Sequence, residues 1–131
     1  RGSLVVSQVS AGRRNSLRFE VDGSTGALAW DSERNEELWL GHRGQPNELL
    51  LRDPALLAPE ARSRTGLPAG HAEGFAETFK ELYRAVYAAV ATGGPLEQPD
   101  YPTFADGHWE NVLGDAVALS NRERRWVEVT T

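Results

Sequence analysis

Asn15-Ser16-Leu17-Arg18-Phe19-Glu20-Val21-Asp22-Gly23-Ser24-Thr25-Gly26-Ala27-Leu28-Ala29-Trp30 is the stretch that decides the fold. Leu17, Phe19 and Val21 alternate with Arg18, Glu20 and Asp22, the period of two that marks a half-buried strand. Asp22 to Gly26 is a turn, because its two glycines accept positive φ and Asp can bond its own backbone. Ala27 to Trp30 returns as the partner strand of a hairpin. A second hairpin follows: Glu37 to His42 goes up, Gly44-Gln45-Pro46-Asn47 turns, and Glu48 to Leu51 comes back. Pro46 has no N–H to give to a ladder, so a turn or strand start suits it. Upstream, Leu4 to Ser10 is rich in β-branched residues and is expected to be a strand closing at Ala11-Gly12.

Beyond the hairpins the period changes. Arg52 to Gly70 carries Pro54, Pro59 and Pro68 and a weak apolar pattern, which predicts a surface crossing with at most one short helix at Pro54–Leu57. From Ala72 to Ala91, Phe75, Phe79, Leu82, Val86 and Val90 recur at three- and four-residue steps, the apolar stripe of an amphipathic helix flanked by Tyr83 and Tyr87. Gly93-Gly94-Pro95 stops it. Thr103-Phe104-Ala105-Asp106 fits a helix N-terminal capping signature, and Val112, Leu113, Ala116, Val117 and Leu119 give a second helical face. Trp126 to Val129 is expected to be a last strand, with Trp126 in the core. The order predicts an α+β domain: an open, mainly antiparallel sheet with two main helices packed on one face. The other face would meet water, a partner or a ligand.

Composition narrows the function classes. The chain has 131 residues, which fits one domain. It has no cysteine, so disulfides, thiol nucleophiles and thiolate metal sites are excluded. Its net charge of -5 argues against a nucleic-acid partner, which needs a basic patch. No apolar run approaches the ~20 residues that span a bilayer, and no signal peptide is apparent, so a cytoplasmic protein without a membrane partner is expected. The chain lacks methionine and opens on Arg1, which reads as a processed chain or a piece cut from something larger. Lys80 is the only lysine among 14 basic residues, a usage that suggests a high-GC bacterial genome.

Catalytic motifs are absent. There is no G-x-G-x-x-G, no P-loop and no nucleophile elbow, so no catalytic or cofactor-binding residue is assigned. Gly70-His71-Ala72-Glu73 and Gly107-His108-Trp109-Glu110 share a pattern at or near the start of a helix. A histidine–glutamate metal pair would need both groups on one helix face, and residues i and i+2 diverge, so helix-start chemistry explains both and no metal ligand is assigned. His71 is separately the candidate substrate contact, an imidazole beside free N–H groups of a helix start. Trp39 alternates against Leu38 and Leu40 and so points away from their face; it is the candidate interface residue. Asp31, Glu33, Glu36 and Glu37 could pass for hydrolase carboxylates, with no separation legible from their spacing. Asn121 to Arg125 reads as a solvated helix end.

The segments in order resemble the C-terminal domain of the Gfo/Idh/MocA oxidoreductases. The resemblance rests on Leu17 to Gly23 with Gly26 to Trp30, on Asn35 to Gly41, on Pro68 to Phe75, on Tyr101 to Gly107 and on Arg125 to Val129, and covers nearly the whole chain. It implies that residues 1–131 are a single C-terminal substrate-binding and oligomerisation domain, inactive alone, of an NAD- or NADP-dependent sugar or polyol dehydrogenase. The family's N-terminal Rossmann domain, its Glu-Lys-Pro motif and its histidine helix are absent from this chain, and Lys80 matches no catalytic motif. The fragment would carry no cofactor of its own and would form a homo-oligomer through the open sheet face. The rival readings are a non-catalytic dimerisation module and a metal-dependent hydrolase using His71 and His108.

Overall fold

The computed structural model describes residues 1–94 and 96–130. Four strands form one sheet in the order β1-β2-β3-β4: β1 Arg18–Asp22, β2 Gly26–Asp31, β3 Glu37–His42 and β4 Glu48–Leu51. Every neighbour pair is antiparallel. Helix α1 is Pro59–Arg62, α2 is Phe75–Ala91 and α3 is Phe104–Glu123. This is the α+β composition expected, with an antiparallel sheet and two main helices. The chain separates into two compact units, Arg1–Thr78 and Phe79–Thr131.

The first unit contains the sheet. The turn at Asp22–Gly26 closes through a bond from the Gly23 N–H to the Gly26 carbonyl at 2.8 Å. Register then sorts the side chains. Phe19 pairs with Trp30 and Trp30 with Leu38, while Val21 pairs with Leu28 and Leu28 with Leu40. One face is therefore apolar. The rings of Phe19 and Trp30 stack with centroids 5.5 Å apart, a contact worth ~0.5–1.5 kcal/mol beyond its area. The opposite face carries Arg18, Glu20, Ala27, Ala29, Asp31, Glu37, Trp39 and Gly41, with Leu49 and Leu51 of β4 beside them. Burial deepens along the two central strands, where Ala27 to Trp30 and Leu38 to Leu40 are half-buried and Gly41 is buried.

Two expected strands are corrected. Leu4–Ser10 is not a strand; Leu4, Val5, Val6 and Val9 are exposed and make no ladder. Trp126–Val129 is not a strand either, and Trp126, expected in the core, is 96% exposed. Both runs have strand composition, but a strand exists only where a second backbone takes its N–H and C=O groups. The short helix expected at Pro54–Leu57 is a turn, closed by the Leu56 N–H on the Asp53 carbonyl at 2.9 Å. The helical turn falls instead at α1, where Pro59 takes the first position and forfeits only an N–H that has no helical partner.

The two long helices obey their local signals. α2 begins at Phe75, three residues later than Ala72, because Ala72–Gly74 belong to the loop described below. The Glu77 carboxylate accepts the Gly74 N–H at 2.8 Å and closes its first turn. Its end is set by Gly93, whose φ of 91° only glycine takes freely; the Pro95 stop lies outside the described residues. The residues α2 buries are Ala85 and Ala89. The expected stripe is only partly covered: Leu82 and Val86 are half-buried, whereas Phe75, Phe79 and Val90 are exposed.

α3 has the capping box its sequence announces. The Thr103 hydroxyl accepts the Asp106 N–H at 3.4 Å, and the Asp106 carboxylate accepts the Thr103 N–H at 2.7 Å. Hydrogen bonds from the Thr103 hydroxyl and N–H hold the Asp106 carboxyl below the usual aspartate range. Replacing Thr103 by Ala should cost about 1 kcal/mol, read as a lower midpoint in thermal unfolding. An unchanged midpoint would show that the cap does not stabilise the helix.

Candidate functional site

The site grows from the end of the second hairpin. Glu37 pairs with Leu51 at the last rung of β3 and β4, and one step further the Arg52 N–H donates to the Glu36 carbonyl at 2.8 Å. Continuing the ladder places the two side chains together. The Arg52 Nε donates to both Glu36 carboxylate oxygens, at 3.0 and 2.8 Å. The rest of the guanidinium turns to the main chain of the following loop. Nη1 donates to the Leu67 carbonyl at 3.1 Å, and Nη2 to the Pro68 and His71 carbonyls at 3.3 and 2.6 Å. A planar fork of five N–H donors is the one side chain that can hold a carboxylate and three carbonyls at once.

Glu73 closes the same loop from its other end. Its Oε1 accepts the Gly66 and Leu67 N–H groups at 2.6 and 2.7 Å, and its Oε2 lies 3.7 Å from Arg52 Nη1. The Glu73 N–H donates to Glu36 at 3.2 Å, and the Asn35 side-chain amide donates to the Glu73 carbonyl. The Asn35 carbonyl in turn accepts the Trp30 indole N–H at 3.1 Å. Glu73 therefore does not serve as a first-turn helix acid, as its spacing suggested; it caps loop amides. The Arg52 and Glu73 side chains are only 14% and 13% exposed, so water competes weakly for these bonds.

The Arg52 guanidinium holds the Glu36 carboxyl below its ordinary value of 4.5, and Glu36 raises Arg52 in return. A carboxyl whose pKa is lower in the folded state binds fewer protons there. Its stabilisation is therefore complete above the unfolded value and is lost as pH falls through the lowered one. Wild type should unfold at a higher temperature than Glu36→Gln at about pH 7, and the gap should narrow as the pH falls below the ordinary glutamate range. A gap unchanged across that range would contradict the pairing.

His71 sits inside this frame. Pro68 to His71 form a turn in which the His71 N–H donates to the Pro68 carbonyl at 3.2 Å and Gly70 takes a φ of 76°. A left-handed third position is the demand of a type II turn, which glycine meets without strain. His71 lies four residues ahead of α2, not in its first turn, so the free N–H groups of the helix start do not flank it. Its backbone carbonyl is gripped by Arg52 while its side chain is exposed. His108 lies within α3 and is exposed. Among the described residues no group of three or more His, Asp or Glu could hold a metal ion.

The four acids proposed as hydrolase carboxylates are each matched to a guanidinium. Asp31 pairs with Arg18 at 2.8 Å, Glu33 with Arg13 at 2.7 Å, Glu36 with Arg52 at 2.8 Å, and Glu37 with Arg34. Of the four, Glu36 is held in its ionised form by its guanidinium, which does not suit it to donate a proton.

Trp39 occupies the face of the sheet away from Leu38 and Leu40, opposite Ala29 on one side and Leu49 on the other. Its indole lies over Gly41: a Cβ there would stand 2.5 Å from the ring. Two cavities border Trp39, one of about 480 Å³ lined also by Arg18, Phe19, Trp30 and Asp31, the other of about 400 Å³ lined also by Thr25, His42 and Arg43. Trp39 is a wall of both.

The residues sequence reading missed are Arg52, Glu36 and Glu73 as a unit. Arg52 and Glu73 are 21 positions apart in sequence, and only the ladder and the loop's return bring them together.

The model of an oxidoreductase family C-terminal α/β domain, the Gfo/Idh/MocA type, matches residues 1–129. The chain belongs to this family. A levoglucosan dehydrogenase from Pseudarthrobacter phenanthrenivorans is 27% identical over 136 aligned residues, covering 98% of this chain and 32% of that protein. An oxidoreductase from Sinorhizobium meliloti superposes with a TM-score of 0.83 at 32% identity, over 93% of this chain and 35% of that one. A levoglucosan dehydrogenase in complex with NADH and L-sorbose superposes with a TM-score of 0.75 at 27% identity, over 93% of this chain and 32% of that one. The chain thus spans about a third of the length of these family members and corresponds to their C-terminal domain.

The sheet is antiparallel throughout, so it contains no parallel strand–helix–strand unit whose helix start could receive a pyrophosphate. No hydride-transfer step is assigned to these residues. Among the described residues no helix is long and apolar enough to cross a membrane.

Proposed function

We propose that this chain is the substrate-binding and oligomerisation domain of a cytoplasmic NAD(H)-dependent dehydrogenase acting on a sugar or polyol. The observation that carries the reading is the family match over residues 1–129, joined to the likeness to an enzyme that binds NADH and L-sorbose. The cofactor, when bound, supplies the hydride chemistry. This domain supplies His71, an exposed imidazole on a pinned loop, as a contact for a substrate hydroxyl. The sheet face carrying Trp39, Leu49 and Leu51 supplies the surface where a second copy sits. Residues 1–131 would work as one C-terminal domain, with the Rossmann domain of the parent protein binding the nucleotide.

Two measurements on the purified chain test this. It should turn over no sugar with NAD+ or NADH; turnover would overturn the assignment of catalysis to the rest of the enzyme. In light scattering it should run as a dimer or larger, and a clean monomer would remove the oligomerisation role.

A further inference from the structure

The loop that carries His71 is held as a unit, and the imidazole is the one polar side chain in it that the hold leaves over. Of residues 66 to 74, Glu73 is spent on the Gly66 and Leu67 amides, and the carbonyls of Leu67, Pro68 and His71 are spent on Arg52. The His71 Nδ1 lies 3.3 Å from the Ala69 carbonyl. A carbonyl only accepts, so Nδ1 carries the proton in the neutral ring and Nε2 carries a lone pair. Nε2 has no partner among the described residues. An exposed, oriented lone pair is an acceptor for an O–H, the group that a sugar or polyol presents many times over.

We propose that Arg52 is a positioning residue for substrate recognition: by gripping the Leu67, Pro68 and His71 carbonyls it sets the Pro68–His71 turn so that His71 Nε2 faces outward as a hydroxyl acceptor. Glu36 anchors the guanidinium and Glu73 anchors the loop's first amides. This rests on the reading of His71 as the substrate contact and adds what fixes its tautomer and direction. Lysine at position 52 keeps the charge but is a point donor; it cannot serve the carboxylate and three carbonyls together. The turn would then drift, the Nδ1 bond to Ala69 would open, and the ring would revert to the Nε2-protonated tautomer that free histidine favours.

Imidazole nitrogen NMR of the 131-residue chain, at a pH where His71 is neutral, reads the tautomer directly. Wild type should show His71 protonated at Nδ1, and Arg52→Lys should move it toward Nε2 protonation; a tautomer indifferent to Arg52→Lys overturns the proposal. Glu73→Gln is the milder variant to use if Arg52→Lys does not fold. In the intact protein, with NADH and L-sorbose as the probe, His71→Ala and Arg52→Lys should each raise KM by about tenfold or more, with kcat changed far less. The double variant should be no worse than His71→Ala alone, because one residue acts through the other. Equal effects of Arg52→Lys with and without His71 overturn the positioning role and leave the His71 contact standing. A KM unmoved by His71→Ala while the tautomer still follows Arg52 removes the contact itself, and the recognition role with it.

Discussion

Arg52→Ala should lower the stability of the strand-and-loop unit by about 2–3 kcal/mol, the largest loss expected from any single truncation there. The change removes the donor shared by Glu36, Glu73 and three loop carbonyls, and leaves two carboxylates without the cation between them. Breaking a fully buried pair costs more; the partial exposure of this one, 14% at Arg52 and 24% at Glu36, reduces the figure. Urea unfolding followed by circular dichroism measures it. In a Glu36→Gln background the cost of Arg52→Ala should be smaller, since the charge left behind is smaller. Amide exchange at Gly66, Leu67 and His71 should also accelerate. A loss below about 0.5 kcal/mol, with exchange unaltered, would mean that the loop holds its shape without the guanidinium.

Gly41→Ala should be the second costly change, at about 1–3 kcal/mol. The new methyl would fall 2.5 Å from the Trp39 ring, and neighbouring backbone is fixed by the pairing of Gly41 with Ala27. The indole must rotate off the strand, which alters both cavities it borders. Trp39→Leu removes the ring that clashes, so Gly41→Ala in that background should cost little. The double-mutant cycle decides the matter: additive costs would show that Trp39 does not lie over Gly41 in solution.

Much of the fold was legible because it is local. The alternation from Leu17 to Val21 and the return through Trp30 carry a complete hairpin, and both the strands and the turn are found there, although neither Gly23 nor Gly26 takes the positive φ read for them. β3 and β4 fall on Glu37–His42 and Glu48–Leu51, as read from the residues. The Thr103–Asp106 box needs only residues three apart, and α3 starts where it says. What failed was non-local. Leu4–Ser10 and Trp126–Val129 have the residues of strands, but composition cannot supply the second backbone a ladder requires. The site was half legible for the same reason. His71 stands out as an imidazole beside glycine, yet its spacing reads as a helix start, because the capture of its carbonyl by Arg52 spans 19 positions and leaves no periodic trace. Glu73 invited the same error: at its spacing an acid suits a first helical turn, and only the Gly66 and Leu67 amides show otherwise.

We propose above all that this domain serves a nicotinamide-dependent sugar or polyol dehydrogenase. Its most direct test is absorbance of the nicotinamide with the intact protein that contains these residues, assayed with NAD+ and levoglucosan and with NADH and L-sorbose. The account predicts substrate-dependent gain or loss of NADH that requires the intact protein and is absent from residues 1–131 alone. No NAD(H) turnover by the intact protein with any sugar or polyol, or turnover by the isolated chain, would contradict it.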